Sequence, residues 1–333
     1  MFKQTALTHP LFHRISLVLT FITATGAAHA SSVYNLGVAG NFSAFVFGDM
    51  TVTGSTDAEH SVAAQGNFKA GTWTAAQGGA TYSTGGKDWA VVVGGNVNWS
   101  DGSVMSGATY VGGSLTVGSA NNPTLDAVQQ GGASPVDFAA AKSQLTAESA
   151  RLMNMTATGT TLYGGDKSGG WDGGIYLQGS NKSVEYFTLD SSKLTTGNVF
   201  QQLSLDSGFA AGSTIVLNII GSATEIALAN LNSVLGFNGH ETLLNFASNI
   251  SKITLSSLNA DATVLALNAD LTDNGGNING GVIAKSFTGS AQLNGGHPGA
   301  PSQASTEVPE PGSLALVALG CVGLAATRKR KQG

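Results

Sequence analysis

The stretch AAQGNF, residues 63–68, sets a pattern that recurs along the first third of the chain. In each unit, small or apolar residues lead to a glycine, Asn or Ser follows it, and an apolar residue closes the unit. The related units are VAGNF at 38–42, VGGNV at 93–97 and VGGSL at 111–115. Their glycines, Gly40, Gly66, Gly95 and Gly113, are 26, 29 and 18 residues apart, which is too irregular for a strict repeat. Such a unit is typical of a strand interrupted where the backbone takes a positive φ or meets a close neighbour.

The residues around these units alternate as β-strands do. Phe45 and Thr51 share one parity, and further on Val97 and Trp99 share one face. Downstream, β-branched runs separated by Asn, Asp and Gly are typical of buried strands. The residues expected in the core there are Ile215, Leu217, Ile219, Val264, Leu265 and Leu267. Short strands with recurrent small residues predict a mostly β body built as a β-solenoid, and a large β-sandwich fits the same periodicity nearly as well.

One segment departs from the strand pattern. In SPVDFAAAKSQLTAESARLMNM, residues 134–155, Ser134 is the expected N-cap and Pro135 the first helical residue. Phe138, Ala141 and Leu145 begin an apolar stripe at helical spacing. The segment predicts one amphipathic α-helix at about 135–155, packed on the β body.

Composition indicates an exported protein of short strands and tight turns. Charged residues make up 11% of the 333, while 46 residues are glycine. Between residues 31 and 306, nine basic side chains stand against eighteen acidic ones, a formal net charge of −9. Because the body has no basic stripe, nucleic acid is not an expected partner. The single cysteine, Cys321, lies in the terminal apolar run, so no disulfide can form within the body.

The first thirty residues have the layout of a secretory signal peptide. Lys3 and Arg14 flank the n-region, and residues 15–28 form the apolar stretch. Ala28 and Ala30 supply the small residues that a signal peptidase requires, so cleavage is expected after residue 30.

The segment VPEPGSLALVALGCVGLAATRKRKQG, residues 308–333, combines a Pro-Glu-Pro triplet, an apolar run and a basic cluster. The apolar run at 314–326 would span roughly 20 Å as a helix, against ~30 Å of hydrocarbon. It predicts a short C-terminal transmembrane helix that holds the chain weakly, with its basic end in the cytoplasm. A Gly/Pro/Ser linker at 297–307 is expected between this tail and the body at 31–296.

This tail resembles the PEP-CTERM sorting signal, which has the same three parts in the same order. The resemblance implies a Gram-negative bacterium whose exosortase, a membrane transpeptidase-like enzyme, recognises the triplet and removes the anchor. It further implies export, transient attachment to the inner membrane, and a final place at the cell surface or in the extracellular matrix. A permanent single-helix anchor is the alternative. The residues that carry the match are Pro309, Glu310, Pro311, Arg328, Lys329 and Arg330.

The body is similar to the choice-of-anchor A domain, an adhesive module that occurs with several C-terminal sorting signals. The resemblance opens at 34–68, which begins YNLGVAGNF, and closes at 242–296, which ends SAQLNGG. The chain departs from the family at Leu267, which follows Ala266 where a proline is usual. That departure changes a local turn and leaves the resemblance intact.

Catalytic patterns are sparse in the body. Its three histidines, His60, His240 and His297, belong to no HExxH, GxSxG or phosphate-loop pattern. Asp57 and Glu59 beside His60 are expected to form a polar turn between strands. The sequence therefore predicts no enzyme activity, with a polysaccharide-acting enzyme on a β-helix scaffold as the alternative.

No cofactor is expected, and calcium is the alternative. DKSGGWDGG at 166–174 and DLTDNGGN at 270–277 bring Asp and Asn oxygens together with glycines, as calcium loops require. Asx-turns explain the same two segments.

Aromatic residues in Gly-rich surroundings are candidates for sugar contact, because a flat side chain can stack on a sugar ring while its polar tip stays hydrated. The set comprises Trp89, Trp99 and Trp171 first, with Trp73, Tyr82, Tyr110 and Tyr176, and packing in the core is the alternative for each of them. Thr-rich segments such as TVTGST at 51–56 raise the further alternative of an ice-binding face, without a regular Thr-x-Thr period. The sequence as a whole thus predicts an exosortase-sorted adhesive or structural protein of the cell surface or exopolysaccharide matrix, with extracellular polysaccharide as a candidate partner.

Overall fold

The computed structural model describes residues 33–118, 124–125, 127–197, 200, 202–228, 233–235, 237–255 and 258–295. The strands before the helix are β1 Ala44–Val46, β2 Met50–Val52, β3 Thr56–Asp57, β4 Val62–Ala64, β5 Phe68–Ala75, β6 Tyr82–Thr84, β7 Lys87–Val93, β8 Val97–Val104, β9 Ala108–Val111, β10 Leu115–Val117 and β11 Val128–Gln130. Helix α1 is Phe138–Met153. Short 3-10 helices lie at Gly37–Asn41, Gly164–Asp166 and Ser191–Leu194.

Strands dominate the second half of the chain as well. They are β12 Thr160–Tyr163, β13 Gly174–Gln178, β14 Val184–Asp190, β15 Gln202–Ser207, β16 Thr214–Ile220, β17 Glu225–Ala227, β18 Ser233–Leu235, β19 Glu241–Phe246, β20 Lys252–Leu255, β21 Leu258–Ala260, β22 Thr263–Asp273, β23 Gly276–Ile278, β24 Val282–Gly289 and β25 Gln292–Leu293.

The strands are distributed over three ladders, which we call faces A, B and C. Face A runs β14-β16-β19-β22-β24-β1-β4-β7-β9-β11. Face B runs β17-β20-β22-β24-β2-β5-β8-β10. Face C contains β12-β13-β15-β18, β21-β23-β25 and β3-β5-β8. Among the described strands, pairing is parallel except for β12 with β13 and for β6, which pairs antiparallel with β7 of face A.

The chain visits faces A, B and C in turn, so each round adds a layer to the stack. The first layer lies inside the stack, because β1 pairs with β24 on one side and with β4 on the other. The last layer of the chain therefore stacks directly on the first. The result is mostly β with a large parallel sheet closed like a solenoid, whereas the sandwich alternative rests on antiparallel sheets.

The predicted Gly-Asn units lie where the chain turns from face A to face B. The Gly95 N–H donates to the Gly66 carbonyl at 2.8 Å, and the Gly113 N–H donates to the Gly95 carbonyl at 2.9 Å. A Cβ on Gly95 would lie 2.6 Å from the Gly66 oxygen, so the stacked backbones leave no room for a side chain. Close backbone approach, rather than a positive φ, explains these glycines.

The hydrogen-bonded glycines in these turns form a stack, which we call the corner ladder. Its first unit differs from the predicted one. VAGNF, which contains Gly40, forms the 3-10 helix Gly37–Asn41 ahead of the first strand. The ladder begins instead at Gly48, whose carbonyl accepts from the Gly66 N–H at 2.9 Å. Asp49 takes the place of Asn there, and its Oδ1 accepts from the Asn67 N–H at 2.7 Å.

Apolar side chains from the three faces fill the inside of the stack. Phe68, Trp73 and Trp99 form an aromatic cluster with ring centroids 5.3–5.7 Å apart. The predicted core residues Ile215, Leu217, Ile219 and Val264 are buried in the same interior. Leu265 and Leu267 are also buried, but in a second cluster between face A and the helix.

Helix α1 confirms the predicted helix over a slightly shorter range. The predicted N-cap was wrong, because Asp137 caps the helix by accepting a hydrogen bond from the Ala140 N–H at 2.9 Å. Ser134 is hydrogen-bonded locally to Val136 instead. With the carboxylate of Asp137 next to the first turn, the helix begins at Phe138.

The helix packs along the outer side of face A. The ring of Phe138 lies 5.2 Å from that of Phe45 on β1, and Asn218 on β16 donates to the Leu152 carbonyl at 2.8 Å. From β1 to β16 the face has four strand spacings, about 19 Å, and 14 helical residues rise about 21 Å. The helix length therefore matches the width of sheet that it covers.

In the part of the chain that the structure describes, no helix is long and apolar enough to cross a membrane. The predicted signal peptide, linker and short transmembrane helix lie outside the described residues.

Candidate functional site

Face B presents a row of threonines on its outer side. Thr254, Thr272, Thr288 and Thr51 lie opposite one another on the adjacent strands β20, β22, β24 and β2. The residue before each threonine points inward and is at most 1% exposed: Ile253, Leu271, Phe287 and Met50. Neighbouring hydroxyls are therefore about 4.8 Å apart along the row. We call these four residues the threonine row.

A column of polar side chains runs beside the threonine row. Asp270 accepts hydrogen bonds from Lys285 at 2.8 Å and from Ser286 at 2.6 Å. These bonds hold the pKa of Asp270 below its usual range. Further along, Lys252 pairs with Glu225 at 3.3 Å. Ion pairs between neighbouring layers thus keep long side chains ordered at the edge of the row.

Most members of the aromatic set are buried, as the core-packing alternative expects. Trp99 is 0% exposed because it points inward from β8, like Val97. Trp89 is 5% exposed and packs edge-on against Tyr110 at 6.3 Å. The other buried members are Trp73, Tyr82, Tyr110 and Tyr176. These side chains belong to the two hydrophobic clusters or lie beneath other groups, where a sugar ring cannot stack on them.

Trp171 is 50% exposed and stands apart from the rest of the set. It lies in the loop between the 3-10 helix Gly164–Asp166 and β13. Its backbone N–H donates to the Tyr176 hydroxyl at 2.8 Å. Its indole lies against the backbone of Gly173, where a Cβ would be 2.5 Å from the ring. The loop thus presents one aromatic surface to solvent.

A buried carboxylate, Glu185, closes the turn between β13 and β14. It is 0% exposed and accepts from Thr158 at 2.6 Å, from the Ser180 N–H at 2.7 Å and from the Lys182 N–H at 2.9 Å. Burial raises the pKa of Glu185, but these hydrogen bonds outweigh it and leave the pKa below its usual value. The carboxylate is a structural anion.

Asp273, at the end of β22, has a raised pKa, in contrast to Glu185. It is 3% exposed, and burial raises its pKa although backbone N–H groups, first that of Gly275, act against the shift. The side chain points into the stack from the same side of the strand as Leu271.

The histidines among the described residues make structural contacts. His60 Nδ1 lies 3.2 Å from the Gly79 carbonyl oxygen. His240 Nδ1 lies 2.9 Å from Ser213 Oγ, the separation of a base and a nucleophile. Ser213 is 1% exposed, however, which shields its hydroxyl from a substrate.

The two predicted calcium segments do not converge on a cluster of ligands. Asp270 is engaged by Lys285 and Ser286, and the Asp273 Oδ2 accepts from the Gly275 N–H at 2.9 Å, as in an Asx-turn. Within the described ranges, no group of three or more His, Cys, Asp or Glu side chains could hold a metal ion.

The remaining predicted site residues lie outside the described residues. They are the signal-cleavage residues Ala28 and Ala30 and the sorting residues Pro309, Glu310, Pro311, Arg328, Lys329 and Arg330.

Sequence reasoning missed the threonine row, although a signal for it exists. The tetrapeptides DMTV at 49–52, KITL at 252–255, DLTD at 270–273 and SFTG at 286–289 share a polar residue, an apolar residue and then threonine. The period lies across layers of the stack, so a search for Thr-x-Thr along one strand cannot find it.

Parallel ladders, a packed helix and a row of outward-facing threonines thus define the body. Residues 35–295 match the family described as "Putative Ice-binding-like adhesive domain", and the chain belongs to this family. Residues 307–331 match the PEP-CTERM protein-sorting motif. The adhesive domain and the sorting signal are thereby confirmed, and the motif implies export and transient membrane sorting in a Gram-negative bacterium.

Among solved structures, the ice-binding protein of the Antarctic ascomycete Antarctomyces psychrotrophicus is similar to this chain at 12% identity. The match covers 79% of this chain and 98% of the other, with a TM-score of 0.24. The curated proteins contain no match to the chain.

Proposed function

We propose that this protein is a secreted, non-catalytic adhesive or structural component of the cell surface or exopolysaccharide matrix. An exosortase recognises its Pro-Glu-Pro triplet and removes the tail, and a β-solenoid body of the choice-of-anchor A type stays outside the cell. The observation that carries this proposal is the order of the two matches, an adhesive domain at 35–295 followed by a sorting motif at 307–331. The body is proposed to work without a cofactor, through its surfaces.

The pKa shifts of three described carboxyl groups support a role without catalysis. A glycosidase needs an ionised carboxylate and a second carboxyl with a raised pKa, both facing one groove. Hydrogen bonds from Gln178 and Lys167 hold the pKa of Asp206 low, and those from Lys285 and Ser286 do the same for Asp270. The raised pKa of Asp273 belongs to a side chain that points into the stack. The pairing that glycoside cleavage requires is not formed by these groups.

The proposal predicts a shortened C-terminus that depends on the processing enzyme. Whole-protein mass spectrometry of the chain from wild-type cells should show loss of the segment that follows the triplet. The same measurement in cells that lack the exosortase should show the full tail, with the protein in the membrane fraction.

A triple variant, Pro309→Ala with Glu310→Ala and Pro311→Ala, should keep its tail even in wild-type cells. Pro301→Ala in the linker is the matched control and should be processed normally. A full-length tail in both wild-type and exosortase-free cells would overturn the sorting proposal and leave a permanent anchor.

The threonine row favours a second candidate function, binding to ice. Four hydroxyls at a regular spacing of about 4.8 Å on parallel strands make a flat, ordered surface. The inward residues beside them are buried, which keeps the threonines from reorienting. This regularity and the ice-binding-like description of the family support the candidate.

An assay of ice recrystallisation tests this candidate. The purified body should keep ice grains small, and Thr272→Tyr, in the middle of the row, should abolish most of the effect because a large ring breaks the flat surface. Thr160→Tyr, at an exposed threonine on β12, is the control and should behave like the wild type. Unrestricted growth of ice grains in the presence of the wild-type protein would exclude ice binding as a function.

A further inference from the structure

We propose that Trp171, with Lys167, Gln178 and Asp206 beside it, forms a binding subsite for neutral polysaccharide. This inference rests on the proposed function, because it names the ligand class and the place where an extracellular glycan is held. The subsite lies on the outer side of face C, at the surface of β13 and β15, and is separate from the threonine row on face B.

Hydrogen bonds fix the backbone of the loop on both sides of Trp171. The Gly170 N–H donates to the Lys167 carbonyl at 2.8 Å, and the Gly174 N–H donates to the Trp171 carbonyl at 2.8 Å. The bond from the Trp171 N–H to the Tyr176 hydroxyl, also 2.8 Å, ties the loop to β13. Because the backbone is fixed on both sides of the indole, little conformational entropy is lost when a ligand stacks on it.

Polar side chains are linked to the Trp171 loop through Tyr176. The ammonium of Lys167 lies 5.1 Å from the centre of the Tyr176 ring and 2.9 Å from Asp206 Oδ1. Gln178 Nε2 donates to Asp206 Oδ2 at 3.0 Å. Tyr176 therefore connects the Trp171 loop with the Lys167–Asp206 pair, since its hydroxyl contacts the Trp171 backbone and its ring lies beneath Lys167.

These groups have the chemistry that sugar hydroxyls require. Asp206 accepts hydrogen bonds, Lys167 donates them, and the Gln178 amide can do both. Hydrogen bonds from Gln178 and Lys167 hold the pKa of Asp206 below its ordinary value, so the carboxylate is an acceptor at neutral pH. The side chains of Lys167 and Asp206 are 24% and 20% exposed and are paired with each other at 2.9 Å.

Charge and surroundings point to a neutral glycan. Lys167 and Asp206 compensate each other, and the body carries a formal net charge of −9 between residues 31 and 306, which opposes an acidic polymer. Glycines and polar residues flank Trp171 in the loop, so no broad apolar patch for a protein partner surrounds the ring. A single flat ring with hydrogen-bonding neighbours instead suits the apolar face and hydroxyl edge of a sugar.

Fluorescence offers a direct test, because the chain has four tryptophans and the other three are at most 5% exposed. Iodide should therefore quench mainly Trp171. Dextran, barley β-glucan and galactomannan serve as probes, in the quenching assay and in affinity electrophoresis. At least one should reduce quenching and retard the wild-type protein. Trp171→Ala should weaken retention at least about tenfold, and Asp206→Ala should weaken it with the iodide-accessible fluorescence unchanged.

Met105→Ala is the matched control, because Met105 is also a large exposed side chain, at 58%, and lies away from this loop. It should bind like the wild type, and all variants should keep the wild-type near-UV circular dichroism. Equal retention of Trp171→Ala and the wild type would overturn the subsite and leave the adhesive function standing. Failure of the wild type to bind any of the three glycans would overturn polysaccharide contact, and the subsite with it.

Discussion

Gly95→Ala is expected to destabilise the body by about 3 kcal/mol or more. The added methyl group would lie 2.6 Å from the Gly66 carbonyl oxygen and 2.8 Å from its carbon, distances that real Cβ atoms essentially never show. The clash is with backbone, so no side-chain rotation relieves it. Relief would require the layers that contain β5 and β8 to separate, which would weaken their ladder. Urea unfolding followed by far-UV circular dichroism measures the loss.

Gly71→Ala is the matched control, in the strand that follows the turn containing Gly66. Gly71 lies in β5, no heavy atom stands within 4 Å of the position of its Cβ, and its φ is not positive. Its replacement should leave the free energy of unfolding unchanged or raise it by up to about 1 kcal/mol, because alanine restricts the unfolded chain. If both variants were equally stable, the corner ladder would not determine how closely the layers stack.

Features of the fold that depend on local sequence patterns could be predicted, whereas long-range strand pairing could not. Strand alternation and the recurrent Gly-Asn units are local, and they predict short strands with tight corners without separating a solenoid from a sandwich. The helix is equally local, and only its N-cap shifted from Ser134 to Asp137. In contrast, the pairing of β1 with β24 joins Ala44 to Val282. Nothing in either strand alone indicates that the first layer lies inside the stack.

The candidate sites were less predictable, for reasons that differ between residues. The burial of Trp99 was implicit in its parity with Val97, since alternate residues of a strand point to one side. The exposure of Trp171 follows from its place in a loop outside any strand. The contact between Asp206 and Lys167 could not be predicted from the local sequence. It depends on the parallel pairing of β13 with β15, which brings two distant segments of the chain together.

Trp99→Ala is the second substitution with a large expected effect, a loss of about 3 to 5 kcal/mol of stability. Trp99 is fully buried, packs against Phe68 and Trp73, and donates from Nε1 to the Asp101 carbonyl at 2.7 Å. Truncation would leave a cavity in the aromatic cluster and remove that hydrogen bond. Thermal unfolding monitored by circular dichroism should show the midpoint fall by many degrees.

Trp171→Ala separates this structural role from contact with a ligand. Because Trp171 is half exposed and outside both clusters, its removal should change the free energy of unfolding by no more than about 0.5 kcal/mol. A loss of glycan retention in that variant then reports on binding, whereas the same loss in Trp99→Ala reports on unfolding. If Trp99→Ala were as stable as the wild type, the ring would contribute nothing to the core. Trp99 would then again be a candidate for sugar contact.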